Sequence, residues 1–135
     1  MSLKRSIEQS HYAMVEGRDV PWLLDQWVSR TPDKPFLVWS PFEGVGRSWT
    51  YQEFAGDVER VAAALHARGI KRGERVLLHL EYCPEFVISW FACTRIGAVA
   101  VSTNTRSVAR DMEYFATHAN VTAAITQPRF AELVH

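Results

Sequence analysis

Cysteine is almost missing from this chain. The two that occur, Cys83 and Cys93, lie close together in an apolar run. That excludes a disulfide framework and reads as two small buried hydrophobes in a reducing, cytoplasmic setting. Lysine is scarce too, standing only at positions 4, 34 and 71, and no Gly-x-x-x-x-Gly-Lys-Ser/Thr phosphate loop can be written. Surplus charge is absent: 15 Lys and Arg balance 15 Asp and Glu. Nucleic acid is thereby excluded as the main partner, because phosphate binding needs a basic excess to displace counterions. Long hydrophobic runs are lacking as well. The longest, Phe86 to Val101, is broken by Ser89, Thr94, Arg95 and Gly97, so no membrane span is expected. Met1 to Ser6 leads into Ile7-Glu8-Gln9-Ser10-His11 rather than an apolar segment, so no secretory signal is read there. What is present is 47% hydrophobic and 22% charged, over 135 residues. This suits one ordinary domain that buries roughly two-thirds of its unfolded surface.

Residues 1–20 carry no sustained periodicity and read as an N-terminal arm; residues 21–135 read as the folded unit. Asp19 offers an N-cap and Pro21 suits a first helical turn, with Trp22, Leu23, Trp27 and Val28 as the apolar stripe. Pro32 and Pro35 stop that helix. Phe36–Trp39 and Arg47–Trp49, separated by Phe42-Glu43-Gly44-Val45-Gly46, predict a small antiparallel edge hairpin. Thr50 and Glu53 then form a capping box ahead of Phe54, Val58, Val61, Ala62 and Leu65, which share one helical face, and Gly69 is the expected left-handed stop. Arg75–Leu80, Ala98–Val101 and Ala123–Thr126 read as strands too continuously apolar to have a wet face. Helices opened by Pro84 and Ser107 join them, and a further helix begins over Pro128 to His135. Strands buried on both faces and joined by helices give α/β, a right-handed βαβαβ unit with a parallel sheet and helices on both faces.

A parallel sheet places its chemistry in the loops at the carboxyl ends of its strands. Glu81-Tyr82-Cys83-Pro84 and Ser102-Thr103-Asn104-Thr105-Arg106 occupy those places, and neither is a glycine-rich cradle. Gly44-Val45-Gly46 is a lone Gly-x-Gly followed by a strand, and Gly-x-Ser-x-Gly does not occur, so neither a dinucleotide fingerprint nor a nucleophile elbow is read. His79 and Cys83 have a metal-like spacing, but on a strand entering a loop and without a second pair. They read as packing with a satisfied hydrogen bond. His66 and His118 fall on solvated helix faces, Glu81 and Glu85 complement a helix dipole, and the five tryptophans (22, 27, 39, 49, 90) fall mostly at apolar, core-like positions. No catalytic residue and no metal site is read.

Four segments in register add a resemblance. Trp49-Thr50-Tyr51-Gln52-Glu53-Phe54 is similar to the first motif of the adenylate-forming enzymes, Leu-Thr-Tyr-x-Glu-Leu. Gly69-Ile70-Lys71-Arg72-Gly73-Glu74-Arg75-Val76 resembles their Gly-(Val/Ile)-x-x-Gly-Asp-(Lys/Arg)-Val turn, and Pro84-Glu85-Phe86 matches a common Pro-Glu-Phe. Thr94 to Asn104 resembles their second motif, departing from it at Ser102 and Thr103, where the family usually has Pro and Leu or Ile. Within the family, Leu78 to Phe91 looks most like the carnitine/crotonobetaine–CoA ligase group of acyl-CoA synthetases, with fatty-acid–CoA ligases as neighbours. The resemblance covers about residues 21–130 and rests on structural residues, caps and turns rather than reactive ones.

The resemblance implies an enzyme that activates a carboxylic acid with ATP and Mg²⁺ to an acyl-adenylate, then passes the acyl group to CoA. The family's phosphate loop and catalytic lysine have no counterpart in these residues. The chain therefore reads as the N-terminal segment of such a synthetase, inactive and without cofactor by itself, its partner being the remaining adenylation domain. Asn104, Thr105 and Arg106, ahead of the helix at Ser107, are the candidate CoA-side residues of the intact enzyme, Arg106 towards a CoA phosphate. Two alternatives remain: a stand-alone flavodoxin-like nucleotide-binding domain, and a docking module whose exposed apolar faces favour self-association.

Overall fold

The computed structural model describes residues 17–134. Of the arm expected over 1–20, residues 1–16 lie outside the described residues, as does His135 at the end of the last expected helix. Helix α1 (Val20–Arg30) opens as its sequence foretells, with Asp19 Oδ1 accepting from Trp22 N at 2.8 Å and proline in the first turn. Strands β1 (Pro35–Trp39) and β2 (Arg47–Thr50) pair antiparallel as the edge hairpin. The chain continues as α2 (Tyr51–Ala67), β3 (Arg75–His79), α3 (Pro84–Arg95), β4 (Val99–Ser102), α4 (Ala109–His118) and β5 (Ala123–Thr126). A 3₁₀ turn (Pro128–Phe130) then leads into α5 (Ala131–Val134). The second sheet is parallel, in the order β4-β3-β5. The α/β reading with helices on both faces and an edge hairpin holds.

Capping chemistry sets the helix boundaries. The Thr50 side chain accepts from Glu53 N at 3.2 Å, while Glu53 Oε2 accepts from Thr50 N at 2.8 Å. A Thr50→Ala change is expected to cost about 1 kcal/mol, read as a lower urea midpoint with an unchanged slope. The exits of α2, α3 and α4 share one device. Ile70 N donates to Leu65 O (3.2 Å), Ala98 N to Cys93 O (2.9 Å) and Val121 N to Ala116 O (3.0 Å), each across a left-handed residue: Gly69, Gly97 or Asn120. Such a Schellman turn satisfies the last carbonyls and aims the chain into the next strand. Gly97 has a second reason to be glycine, since a Cβ there would lie 2.9 Å from Arg72 Cγ.

The main core lies on one face of the parallel sheet. Phe54, Val58, Ala62 and Leu65 of α2 and Ile88, Ala92 and Cys93 of α3 close over Val76, Leu78 and Leu80. Strand alternation turns Leu77 and His79 to the other face, where α4 contributes one buried residue, Met112. Two expectations are corrected. Only β3 is wrapped on both faces. Among the described residues β4 and β5 are edge strands, and Val99, Ser102 and Ala124 are exposed because each strand is paired there on one side and the second face is thinly covered. Of the five tryptophans only Trp49 is buried, its Nε1 donating to Asp57 Oδ2 at 2.8 Å. Trp22 and Trp27 are exposed, and Trp39 and Trp90 half-buried. Helix α1 buries Leu24, which is not on the expected stripe; of the stripe only Val28 packs partly against the core, and the indoles stay at the margin.

Candidate functional site

The carboxyl ends of β3, β4 and β5 meet along one edge of the molecule. After β4, the Asn104 side chain folds the loop on itself. Its Oδ1 accepts from Arg106 N at 2.9 Å, and its carbonyl accepts from Ser107 N at 2.9 Å. Asn104 and Thr105 line a cleft of about 260 Å³ with Ser102, Thr103, Leu80, Tyr82 and Phe86. Arg106 is exposed and does not line that cleft. The expected cap at Ser107 is displaced by one residue: α4 begins at Ala109, and Asp111 Oδ2 accepts from Val108 N at 3.0 Å. The acidic side chain in the first turn does the capping, so a serine hydroxyl is not needed.

A larger groove of about 650 Å³ runs beside the ends of β3 and β5, between β2, α2 and the start of α3. Arg47 and Arg60 face it together with Asp57 and Glu85, so its charge is balanced. Arg47 is held over the Trp49 ring at 4.1 Å, and Arg60 is paired with Asp57. Cys83 also lines it, but burial pushes its thiol up from the ordinary value, and burial pushes Cys93 up to about 11. Neither sulfur is a thiolate nucleophile near neutrality. Among the described residues no three His, Cys, Asp or Glu side chains converge as a metal site.

His79 was expected to be satisfied, and it is only half so. The ring is fully buried. Its Nδ1 lies 2.8 Å from Thr103 Oγ1, which also lies 3.2 Å from Leu78 O, while Nε2 has no partner among the described residues. Burial lowers the pKa of His79, so the ring is neutral. Cys83, four residues on, lies at the N-cap of α3. Pairing between His79 and Thr103 could not be foreseen, because nothing in a one-dimensional pattern links a strand residue to a loop residue of the next βα unit.

Comparison with known proteins agrees with this architecture. Residues 24–135 match the model of the AMP-binding enzyme family. The chain belongs to the AMP-binding enzymes. Among curated members it is 31% identical over 117 residues to the crotonobetaine/carnitine–CoA ligase of Salmonella paratyphi A, covering 87% of this chain and 23% of that protein. Among solved structures, the N-terminal subdomain of Klebsiella oxytoca NpsA in complex with 3-hydroxybenzoyl-AMSN is 30% identical with a TM-score of 0.72, over 79% of this chain and 26% of that one. The N-terminal domain of FACL13 from Mycobacterium tuberculosis is 27% identical with a TM-score of 0.78, over 87% and 29%. The chain thus spans about a quarter of the length of the AMP-binding proteins it matches. Among the described residues no helix is long and apolar enough to cross a membrane.

Proposed function

We propose that this chain is the N-terminal part of an acyl-CoA synthetase. In that enzyme a carboxylic acid and ATP with Mg²⁺ give an acyl-adenylate and pyrophosphate, and the acyl group then passes to CoA as a thioester. The observation that carries the reading is the family match over residues 24–135, falling on a βαβαβ scaffold. The CoA ligase relatives support the thioester step, and the acyl-AMSN ligand of the Klebsiella subdomain supports the adenylate. The described residues offer neither a glycine-rich cradle nor a carboxylate cluster for Mg²⁺. They do not fit the nucleotide, and no step is assigned to them. Their contribution is positional: they set the strand ends and the 104–106 loop against which the rest of the enzyme closes.

The reading is tested by exchange of labelled pyrophosphate into ATP. The 135-residue chain, supplied with crotonobetaine, carnitine or a fatty acid, is expected to give none; exchange by the chain alone would put the adenylation chemistry within these residues and overturn their reading as inactive scaffold. Within the loop, Arg106 is the group available to a CoA phosphate, being exposed just ahead of the start of α4. In an enzyme carrying this segment, Arg106→Ala is expected to raise the KM for CoA severalfold, the scale of one exposed charge contact, with pyrophosphate exchange unchanged. An unaltered KM removes Arg106 from the CoA side.

One observation favours a docking role alongside catalysis. Phe42, Val45 and Tyr82 are at least nine-tenths exposed, and Val38 is 66% exposed. Apolar surface of this kind marks contact sites. The chain alone is expected to self-associate with rising concentration in sedimentation velocity, and Phe42→Ser with Val45→Ser to shift it towards monomer.

A further inference from the structure

His79 touches the ends of all three parallel strands. It is the last residue of β3, and its carbonyl accepts from the hydroxyl of Thr126, the last residue of β5, at 2.8 Å. Its ring reaches Thr103, the first residue beyond β4. The rim is closed by Phe130, whose ring meets the imidazole edge-on at 4.8 Å. Thr103 stands where the resemblance expects an aliphatic residue. Here it carries a hydroxyl, and both that hydroxyl and its N–H are directed to Leu78 O, at 3.2 and 3.1 Å.

The proton positions follow from counting donors. Thr103 has one hydroxyl hydrogen. If it went to His79 Nδ1, the ring would carry its own hydrogen on Nε2, a buried donor with no acceptor among the described residues. With the hydrogen on Nδ1 instead, Thr103 Oγ1 accepts from the ring and donates to Leu78 O, and only a lone pair at Nε2 is left over. The first arrangement makes one hydrogen bond and the second makes two, so the Nδ1–H tautomer is the better satisfied.

We infer that His79 is a positioning residue: through Nδ1–H it fixes Thr103, and with it the Asn104–Arg106 loop, to the ends of β3 and β5. Its bearing on catalysis rests on the reading of that loop as the CoA side. Thr103 joins β4 to the self-closed turn of Asn104; its N–H and hydroxyl both reach Leu78 O, and the bond from His79 Nδ1 is the third tie that holds it to the end of β3. The bond runs from one βα unit to the next, and side-chain packing cannot replace it, because Thr103 presents only a small, half-buried side chain.

Site-resolved hydrogen exchange and imidazole ¹⁵N shifts on the 135-residue chain test this without any ligand. The ¹⁵N spectrum is expected to show His79 neutral with the hydrogen on Nδ1. In His79→Leu, the amides of Thr103 and Ser107 are expected to exchange about tenfold faster, the scale of one lost hydrogen bond, with those of α2 unchanged. His79→Asn places an amide N–H where Nδ1 was and is expected to restore slow exchange. His79→Gln places it nearer Nε2 and is expected not to. Should His79 variants fail to fold, Thr103→Val removes the hydroxyl, and with it both the bond from His79 and the bond to Leu78 O, and is expected to speed loop exchange at least as much, while Thr103→Ser stays near the parent. Wild-type exchange rates in Thr103→Val, or rescue by Gln as good as by Asn, overturn the inference. These readouts need no CoA. An Arg106→Ala enzyme with unaltered KM therefore removes the CoA assignment and leaves the positioning role standing, and a negative exchange result does the reverse.

Discussion

Phe54→Ala is expected to lower the stability of the chain by about 3–5 kcal/mol, enough to leave a domain of this size near the edge of folding. Phe54 is fully buried, and its ring lies 4.7 Å from Phe36, tilted at 57°, and 5.1 Å from Phe91 at a right angle. It therefore joins the hairpin, α2 and α3 in one aromatic cluster, and the 4.8 Å contact of Phe36 with Tyr51 extends that cluster. Truncation forfeits the transfer energy of the ring and opens a cavity whose walls belong to three separate elements. Elements tied to a sheet cannot all move inward, so collapse is poor and the loss sits high in the usual range. A urea melt of the variant checks it, with Phe54→Leu as the control expected to lose less than half as much. A loss below about 1 kcal/mol would mean that the site relaxes freely, contrary to the packing described.

The cluster also marks what could be read from residues in order. Phe54 declares itself through the Thr50–Glu53 box and a helical repeat that follows it, because capping and period are local properties carried by neighbouring residues. Gly69 and Gly97 are legible for the same reason: a left-handed position excludes other side chains wherever the rest of the fold lies. Strand burial is not local. Arg75–His79 and Ala98–Val101 look equally apolar, yet one becomes the central strand and the other an edge. Order in the sheet depends on pairing partners far along the chain. The indoles mislead similarly, since Trp22 and Trp27 sit on the expected stripe of α1, but that short helix finds only enough neighbour surface to bury Leu24.

The candidate site divides along the same line. That Asn104 and Thr105 belong at the sheet's carboxyl edge follows from topology alone, and both line the cleft there. Arg106 follows the same rule in position but not in direction, because the turn built by Asn104 leaves it outside the cleft. The His79–Thr103 pair lay beyond reach. Its two members are 24 residues apart, and a histidine in an apolar strand looks like filler until its neighbours in space are known.

Removal of Arg95 is the second large perturbation expected. Its guanidinium forks onto Asp25, with Nη2 to Oδ1 at 2.7 Å and Nη1 to Oδ2 at 2.8 Å, while Nε reaches Glu59. One side chain at the end of α3 thus ties α1 and α2 to it. Bonds of this charge-assisted kind contribute about 1.5–3 kcal/mol when sheltered. Here Asp25 and Glu59 are 51% and 54% exposed, and solvent screening reduces the expected loss in Arg95→Met to about 1–2 kcal/mol. Arg95→Lys should recover less than half, since an ammonium cannot serve both Asp25 oxygens and Glu59 together. The pH dependence has a definite sign. The Arg95 hydrogen bonds hold the Asp25 carboxyl below its ordinary value of 3.8. Between that ordinary value and the depressed one the unfolded chain binds the extra proton, so the stabilisation is complete above about pH 5 and is lost as the pH falls through the folded value. The stability difference between parent and Arg95→Met should therefore be flat from pH 5 to 8 and shrink below pH 4. His79 imposes its own acid sensitivity, complete above its ordinary value of 6.5 and lost as the pH falls. It does so in both proteins, and so cancels from the difference. A difference that instead grows on acidification would show that Asp25 is not held by Arg95 in solution.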